Sequence, residues 1–215
     1  MKVVQLTEKN LKKILSEAER ILRSGGIMIV PTDTVYGIVG DATKSEAIKK
    51  IFAIKKRPQE KAFPVFIKSV VEARKFAYIA DAKAKFLERI WPGPLTVVFQ
   101  HKEKLPKILT GGKDSIGLRI PSHPFLLELL FKLDFPLVQT SANISDKPSA
   151  KNLEEIKNYF ENAKIKPDLV IDGGELKGKS STVVDYTGKE PMILRTGVIT
   201  REELDQILES VHIRG

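Results

Sequence analysis

The chain has 215 residues, 36 Lys+Arg against 27 Asp+Glu, a net charge of +9 and no cysteine. That length buries a full core without staples, and the missing thiols exclude thiolate zinc sites, iron–sulfur clusters, a cysteine nucleophile and a disulfide framework. The charge suits an anionic partner such as a nucleotide or RNA, and equally a solvated Lys- and Glu-rich surface. No apolar run reaches membrane-spanning length, and "MKVVQLTEKN" turns polar too soon for a secretory leader, so a soluble cytoplasmic protein with no membrane contact is expected.

From Thr7 to Arg23, Leu11, Ile14, Leu15, Ala18, Ile21 and Leu22 recur at helical spacing, and Gly25 with Gly26 ends the helix. "IMIV" (27–30) reads as a buried strand. A helix from Ser45 to Lys55 carries Ile48, Ile51 and Phe52 on one face, and "FPVFI" (63–67) is a short strand. Asp81 to Trp91 is helical until Pro92 and Gly93. "LTVVFQ" (95–100) and "IGLRI" (116–120) are strands, Pro124 to Lys132 a short helix, and "FPLVQTSA" (135–142) a strand running into a loop. Asn152 with Glu155 opens a helix through a capping box, as does Thr200 with Glu203. "DLVID", "TVVDY" and "MILRT" are three further strands. This order predicts a mixed α/β sheet with helices on its faces.

"GGELKGKS", Gly173 to Ser180, matches the P-loop pattern letter for letter. A strand precedes it, but the helix that must follow is missing. Thr182, Val183, Val184 and Tyr186 favour a strand, and Gly188 arrives too early. The stretch reads as a turn between two strands.

Four other places can carry chemistry. In "VPTDTVYGIVGDA" (30–42), Thr32, Asp33, Thr34 and Tyr36 gather at the end of a buried strand, where α/β proteins bind ligands; a locally satisfied polar turn fits too. Lys55, Arg57 and Lys61 follow a helix C-terminus, where the macrodipole alone favours cations, and Pro58 can aim them into one space that suits a triphosphate. "QTSAN" (139–143), with Pro148 and Ser149, sets hydroxyls and an amide at a strand end. Arg119, inside an apolar strand, needs an anion: a substrate carboxylate, or an Asp or Glu of the protein. Arg195 poses the same question. His123 reads as a helix-start or surface residue, and His101 and His212 as solvent-facing. No metal-ligand spacing, Ser-His-Asp order or nucleophile elbow occurs.

In this order, "PTDTVYG", "IFAIKKRPQEK", "WPGPLT", "LRIPSHP", "TSAN", "IDGG" with "STVVD", and "LRTG" resemble the YrdC-like family of threonylcarbamoyl-AMP synthases, over nearly the whole chain. The resemblance implies a twisted open mixed sheet with flanking helices around a basic concave cleft, as one catalytic domain over 1–215 with no appended C-terminal domain. It implies that L-threonine, bicarbonate or CO2, and ATP with Mg2+ give threonylcarbamoyl-adenylate and pyrophosphate. A partner threonylcarbamoyl transferase complex then acts on the adenosine beside the tRNA anticodon. By the same carry-over, Lys55, Arg57 and Lys61 stabilise the phosphates. Thr34, Arg119, Thr140 and Ser181 hold L-threonine, and Ser141, Asn143, Ser149 and Arg195 lie along the nucleotide with Arg57 and Lys61. Phe66 departs from the resemblance, because many relatives carry a His there. A non-catalytic protein of the same fold that binds tRNA or other RNA is the alternative, although 7% aromatic residues form no evident stacking platform.

Overall fold

The computed structural model describes residues 1–212, with side chains described through Ser210. Ten strands form one mixed sheet: β1 (Lys2–Gln5), β2 (Ile27–Val30), β3 (Gly37–Asp41), β4 (Val65–Phe66), β5 (Leu95–Gln100), β6 (Ser115–Arg119), β7 (Leu137–Ser141), β8 (Leu169–Asp172), β9 (Thr182–Asp185) and β10 (Met192–Arg195). Their spatial order is β1-β8-β2-β3-β7-β4-β6-β5-β9-β10. β1 and β2 run parallel to β8, β4 to β6, and β5 to β9; the other neighbours are antiparallel.

Eight helices flank it: α1 (Leu11–Arg23), α2 (Ser45–Lys55), α3 (Val70–Phe76), α4 (Asp81–Ile90), α5 (Lys107–Thr110), α6 (Pro124–Lys132), α7 (Leu153–Phe160) and α8 (Arg201–His212). The expected caps form. The Asn152 side chain accepts from Glu155 N, and Thr200 and Glu203 bond each other's backbone N–H. The capping box at Thr7 feeds a single 3-10 turn, so α1 proper begins at Leu11.

The period-two alternation of the strands sorts their side chains between two layers. In "IMIV", Ile27 and Ile29 join the large core beneath α2, α4 and α7, while Met28 and Val30 pack with Phe125, Leu126 and Leu129 of α6 and Ile14, Leu15 and Ala18 of α1. That second layer runs from β1 as far as Leu137 of β7 and Phe66 of β4. Further along the same face, Thr96 and Val98 of β5, Ser115, Gly117 and Arg119 of β6, and Val183 and Asp185 of β9 line a cavity of about 530 Å3. Their alternates Val97, Phe99, Ile116, Leu118 and Val184 fill the core behind. The open half of one face is thus the concave cleft.

Two strands and two short helices lack a readable signal. β1 is a sheet edge of four residues, and β3 hides behind two glycines and an aspartate. A Cβ at Gly40 would touch Ala47, Ile27 and Ile51 at 3.4 Å, the near edge of van der Waals contact. The strand expected over 63–67 shrinks to two residues. Before it, Phe63 N turns away to Leu109 O; after it, Ile67 N still donates to Arg119 O of β6 before the chain leaves the sheet.

Candidate active site

One end of the cavity is built around Arg119, the last residue of β6 and nearly fully buried. Its Nη2 donates to Asp33 Oδ1 at 2.5 Å and its Nε to Gly93 O at 2.9 Å, the latter offered by the "WPGP" turn. Nη1 stands 3.4 Å from Thr34 Oγ1, and the guanidinium lies 5.6 Å from the centroid of the Phe66 ring. Ser122 Oγ donates to the other Asp33 oxygen at 3.0 Å. Burial draws the Arg119 pKa down while the Asp33 charge opposes it. Of the two partners open in the sequence, the protein's own carboxylate is therefore present.

The hydroxyls beside it are ordered by proton counting. Thr32 has one hydroxyl proton, given to Val35 O at 2.7 Å, so the 2.9 Å contact between Thr32 and Thr34 is donated by Thr34. The lone pairs of Thr34 Oγ1 are then left for Arg119 and a ligand. Thr140 lines the same cavity.

Two further cations of the wall, Arg57 and Arg195, have no carboxylate in hydrogen-bond reach among the described residues, and beyond burial the charge of Arg195 lowers the pKa of both Arg119 and Arg57. Arg57, half-buried, gives Nε to Lys61 O and Nη2 to Ala62 O, and lies 5.0 Å from the Phe63 ring centroid. Burial lowers its pKa, with Asp146 opposing and Arg195 assisting. Arg195, at the end of β10, donates from Nη2 to Ser181 O at 2.8 Å, and Ser181 Oγ meets Thr96 Oγ1 at 3.1 Å. Thr34, Arg57, Arg119, Thr140, Ser141, Ser181 and Arg195 all line this one cavity.

Four expected site residues lie outside its wall. Lys55 is 1% exposed, and its ammonium is committed to Ser141 O at 2.7 Å, Asn143 O at 2.9 Å and Asn143 Oδ1 at 2.8 Å. Burial and then the Arg57 charge pull it down to about 7. Asn143 is equally committed, its Oδ1 also taking Ser141 Oγ at 2.7 Å and its Nδ2 donating to Ile144 O and Lys147 O. These two side chains brace the loop that carries Ser141. Lys61 is exposed, its Nζ 4.0 Å from Asp146 Oδ1, and Ser149 does not line the cavity.

The segment Gly173 to Ser180 has no helix after it; β9 follows directly. It is a strap that runs over the Thr34 turn and reaches the cavity wall at Ser180. Gly173 N donates to Tyr36 Oη at 2.9 Å, Tyr36 Oη to Gly174 O at 2.7 Å, and Leu176 N to Lys151 O at 2.7 Å. Burial pushes the Tyr36 hydroxyl up to about 12, so it stays a donor. At Gly178 a Cβ would fall 2.2 Å from Thr34 O, so only glycine lets the strap lie on the threonine turn. Lys179 is exposed and outside the cavity, while Ser180 and Ser181 line it.

Thr96, Lys113, Ser115 and Asp185 line the cavity although the sequence reading assigned them no role, and Asp33, placed by that reading only in a polar cluster, pairs with Arg119. Period-two alternation in "LTVVFQ" and "SIGLR" could have placed Thr96 and Ser115. His101 is half-buried rather than solvent-facing, bonding Lys113 O at 2.9 Å; His123 Nδ1 is buried without a partner; His212's side chain lies outside the described residues. Among the described residues no cluster of three His, Cys, Asp or Glu could hold a metal, and no helix is long and apolar enough to cross a membrane.

The open sheet face thus carries one buried guanidinium paired with Asp33 and two, on Arg57 and Arg195, held by backbone carbonyls. The chain belongs to the Sua5/YciO/YrdC family: the family model, described as Telomere recombination, matches residues 20–197. It is 35% identical over 198 residues to the threonylcarbamoyl-AMP synthase of Pyrococcus abyssi, covering 91% of this chain and 57% of that protein. It is 36% identical over 205 residues to the putative threonylcarbamoyl-AMP synthase of Methanocaldococcus jannaschii, covering 95% of each. The structure of Pyrococcus abyssi Sua5 complexed with L-threonine is similar with a TM-score of 0.86 at 34% identity, over 96% of this chain and 60% of that one.

Proposed function

We propose that this chain is a threonylcarbamoyl-AMP synthase, a nucleotidyltransferase acting in the cytoplasm. The observation that carries the reading is the charge layout of one cavity: a buried Arg119 in place for a carboxylate, and Arg57 with Arg195 in place for phosphates. The substrate amine of L-threonine takes up CO2, or bicarbonate with loss of water, to form a carbamate. The carbamate oxygen attacks the α-phosphorus of ATP. The bond from that phosphorus to the bridging oxygen breaks, and pyrophosphate leaves with the electron pair. No covalent bond to the protein is needed, which suits a site of hydroxyls and cations.

The residues do positioning and charge work. Arg119 takes the substrate carboxylate while Thr34, Thr140 and Ser181 surround the rest of the amino acid. Arg57 and Arg195 lie along the phosphates, with Lys61 adding positive field from the surface. Lys55 and Asn143 hold Ser141 against the nucleotide. Asp33 is already bonded to Arg119 and Ser122, so this donor set suits Mg2+ that arrives on the phosphates of ATP and spreads their charge. The adenylate then passes to a partner threonylcarbamoyl transferase that modifies tRNA.

The test is pyrophosphate release by the purified protein. Release that requires L-threonine, bicarbonate, ATP and Mg2+ together supports the reading. ATP turnover indifferent to threonine, or salt-sensitive RNA binding with no turnover, sinks it.

A further inference from the structure

We infer that Asp33 is the positioning residue of the amino-acid site: it clamps one side of the Arg119 guanidinium and thereby fixes where a ligand carboxylate binds. The inference rests on the reading of this cavity as an L-threonine site. Arginine has five N–H donors in a rigid planar fork. In Arg119, Nε is tied to Gly93 O and one N–H of Nη2 to Asp33, while Nη1 faces Thr34. Those ties leave one N–H on each terminal nitrogen, which is what a carboxylate needs for a two-point contact.

Three observations show that Asp33 sets direction and does not only balance charge. Its two oxygens are used separately, Oδ1 by Arg119 and Oδ2 by Ser122, so the carboxylate is held from a second side. The pair is dry, with side chains 3% and 11% exposed, and its geometry is not averaged by water. Under the guanidinium lies Phe66, which can stack but cannot hydrogen-bond, so Thr34 at 3.4 Å is the one other side chain bonding Arg119 among the described residues. Removing Asp33 frees the fork to turn within the plane that Phe66 and Gly93 leave it.

The experiment titrates L-threonine and ATP separately by calorimetry, and follows threonine-dependent pyrophosphate release, in the wild type and in Asp33→Ala, Asp33→Asn and Ser122→Ala. Asp33→Ala is expected to weaken L-threonine about tenfold or more and raise its KM likewise, with ATP affinity within about twofold. Asp33→Asn retains an oxygen acceptor for Nη2 and recovers part of the loss; Ser122→Ala costs about two- to threefold. Unchanged threonine affinity in a folded Asp33→Ala protein overturns the inference, as do equal losses for threonine and ATP, which mark a collapsed site. Should Asp33→Ala not fold, the other two variants decide by the same ratio. A wild type that binds threonine but releases no pyrophosphate refutes the proposed reaction alone, and calorimetry still reads Asp33. A wild type that binds no threonine refutes both.

Discussion

The cavity holds its cations in two opposite ways, with the charge of Arg195 felt by both Arg119 and Arg57. Arg119 is buried, answered by Asp33 and fixed by Gly93 O, so it enters a complex already neutralised and oriented. Arg57 and Arg195 bond backbone carbonyls, which orient them without cancelling their charge. A neutralised fork discriminates by shape, because a misplaced carboxylate gains little from net field. Unneutralised cations draw a polyanion from a distance and tolerate its motion. On the proposed function, one cavity would select a small amino acid strictly and hold a triphosphate by charge.

The largest effects should separate these two ways. Arg119→Ala leaves Asp33 buried without its cation, which costs about 3–5 kcal/mol of stability and removes threonine binding. Arg57→Ala strands no buried charge. It should change stability by less than about 1 kcal/mol while weakening ATP about tenfold or more, since charge-assisted bonds are the strong ones. Denaturant melts beside separate threonine and ATP titrations check both. Similar destabilisation by the two substitutions would erase the distinction. Raising salt from about 50 to 300 mM sharpens it, since the half-buried end is screened more: ATP affinity should fall several-fold and threonine affinity little.

Lys55 lies between these cases as a buried cation answered only by neutral oxygens. Lys55→Met strips Asn143 O of its donor, leaving Ser141 O with Asn143 N and Asn143 Oδ1 with Ser141 Oγ, and should cost about 1–3 kcal/mol, with the loss of turnover appearing through the Ser141 loop. Its pH dependence has a definite sign. With the folded pKa lowered to about 7, the unfolded chain binds more protons from there up to the ordinary lysine range. The wild type therefore gains stability relative to Lys55→Met as pH rises from 7 toward 10, by at most about 1.4 kcal/mol per pH unit, and shows no such gain below 7. Paired denaturant melts at pH 6, 7 and 9 measure it. A stability gap constant over that range would mean that three oxygen acceptors keep Lys55 fully protonated.

Local chemistry explains which of these features could be read in advance. Strands such as "IMIV" and "LTVVFQ" announce themselves because burial leaves no room for polar residues, and α1 does so by its stripe. β3 is invisible because two of its five residues, Gly37 and Gly40, have poor strand propensity. At the site, the motifs place Arg57, Arg119, Ser181 and Arg195 on one wall by family resemblance, whereas composition showed only that polar groups gather. The direction of Lys55 was not legible. A cation at a helix C-terminus looks the same in sequence whether it faces phosphate or, as here, reaches across to the strand-end loop of β7. Asp33 was equally opaque, because its partner lies 86 residues away.

The strap offers the smallest effects and the cleanest contrast, within one match to a phosphate-binding pattern. Gly178 lies against Thr34 O, so Gly178→Ala must lift the backbone from the threonine turn. The cost should be about 1–3 kcal/mol of overpacking, with threonine affinity falling more than ATP affinity because the displaced contact is at the amino-acid end. Lys179, the next residue and the lysine of the pattern, points to solvent. Lys179→Ala should leave stability within about 0.5 kcal/mol and both affinities unchanged. A phosphate loop predicts the reverse ranking, with Lys179→Ala collapsing ATP binding. A single pair of titrations on adjacent residues therefore decides whether "GGELKGKS" cradles phosphate or covers the amino-acid pocket.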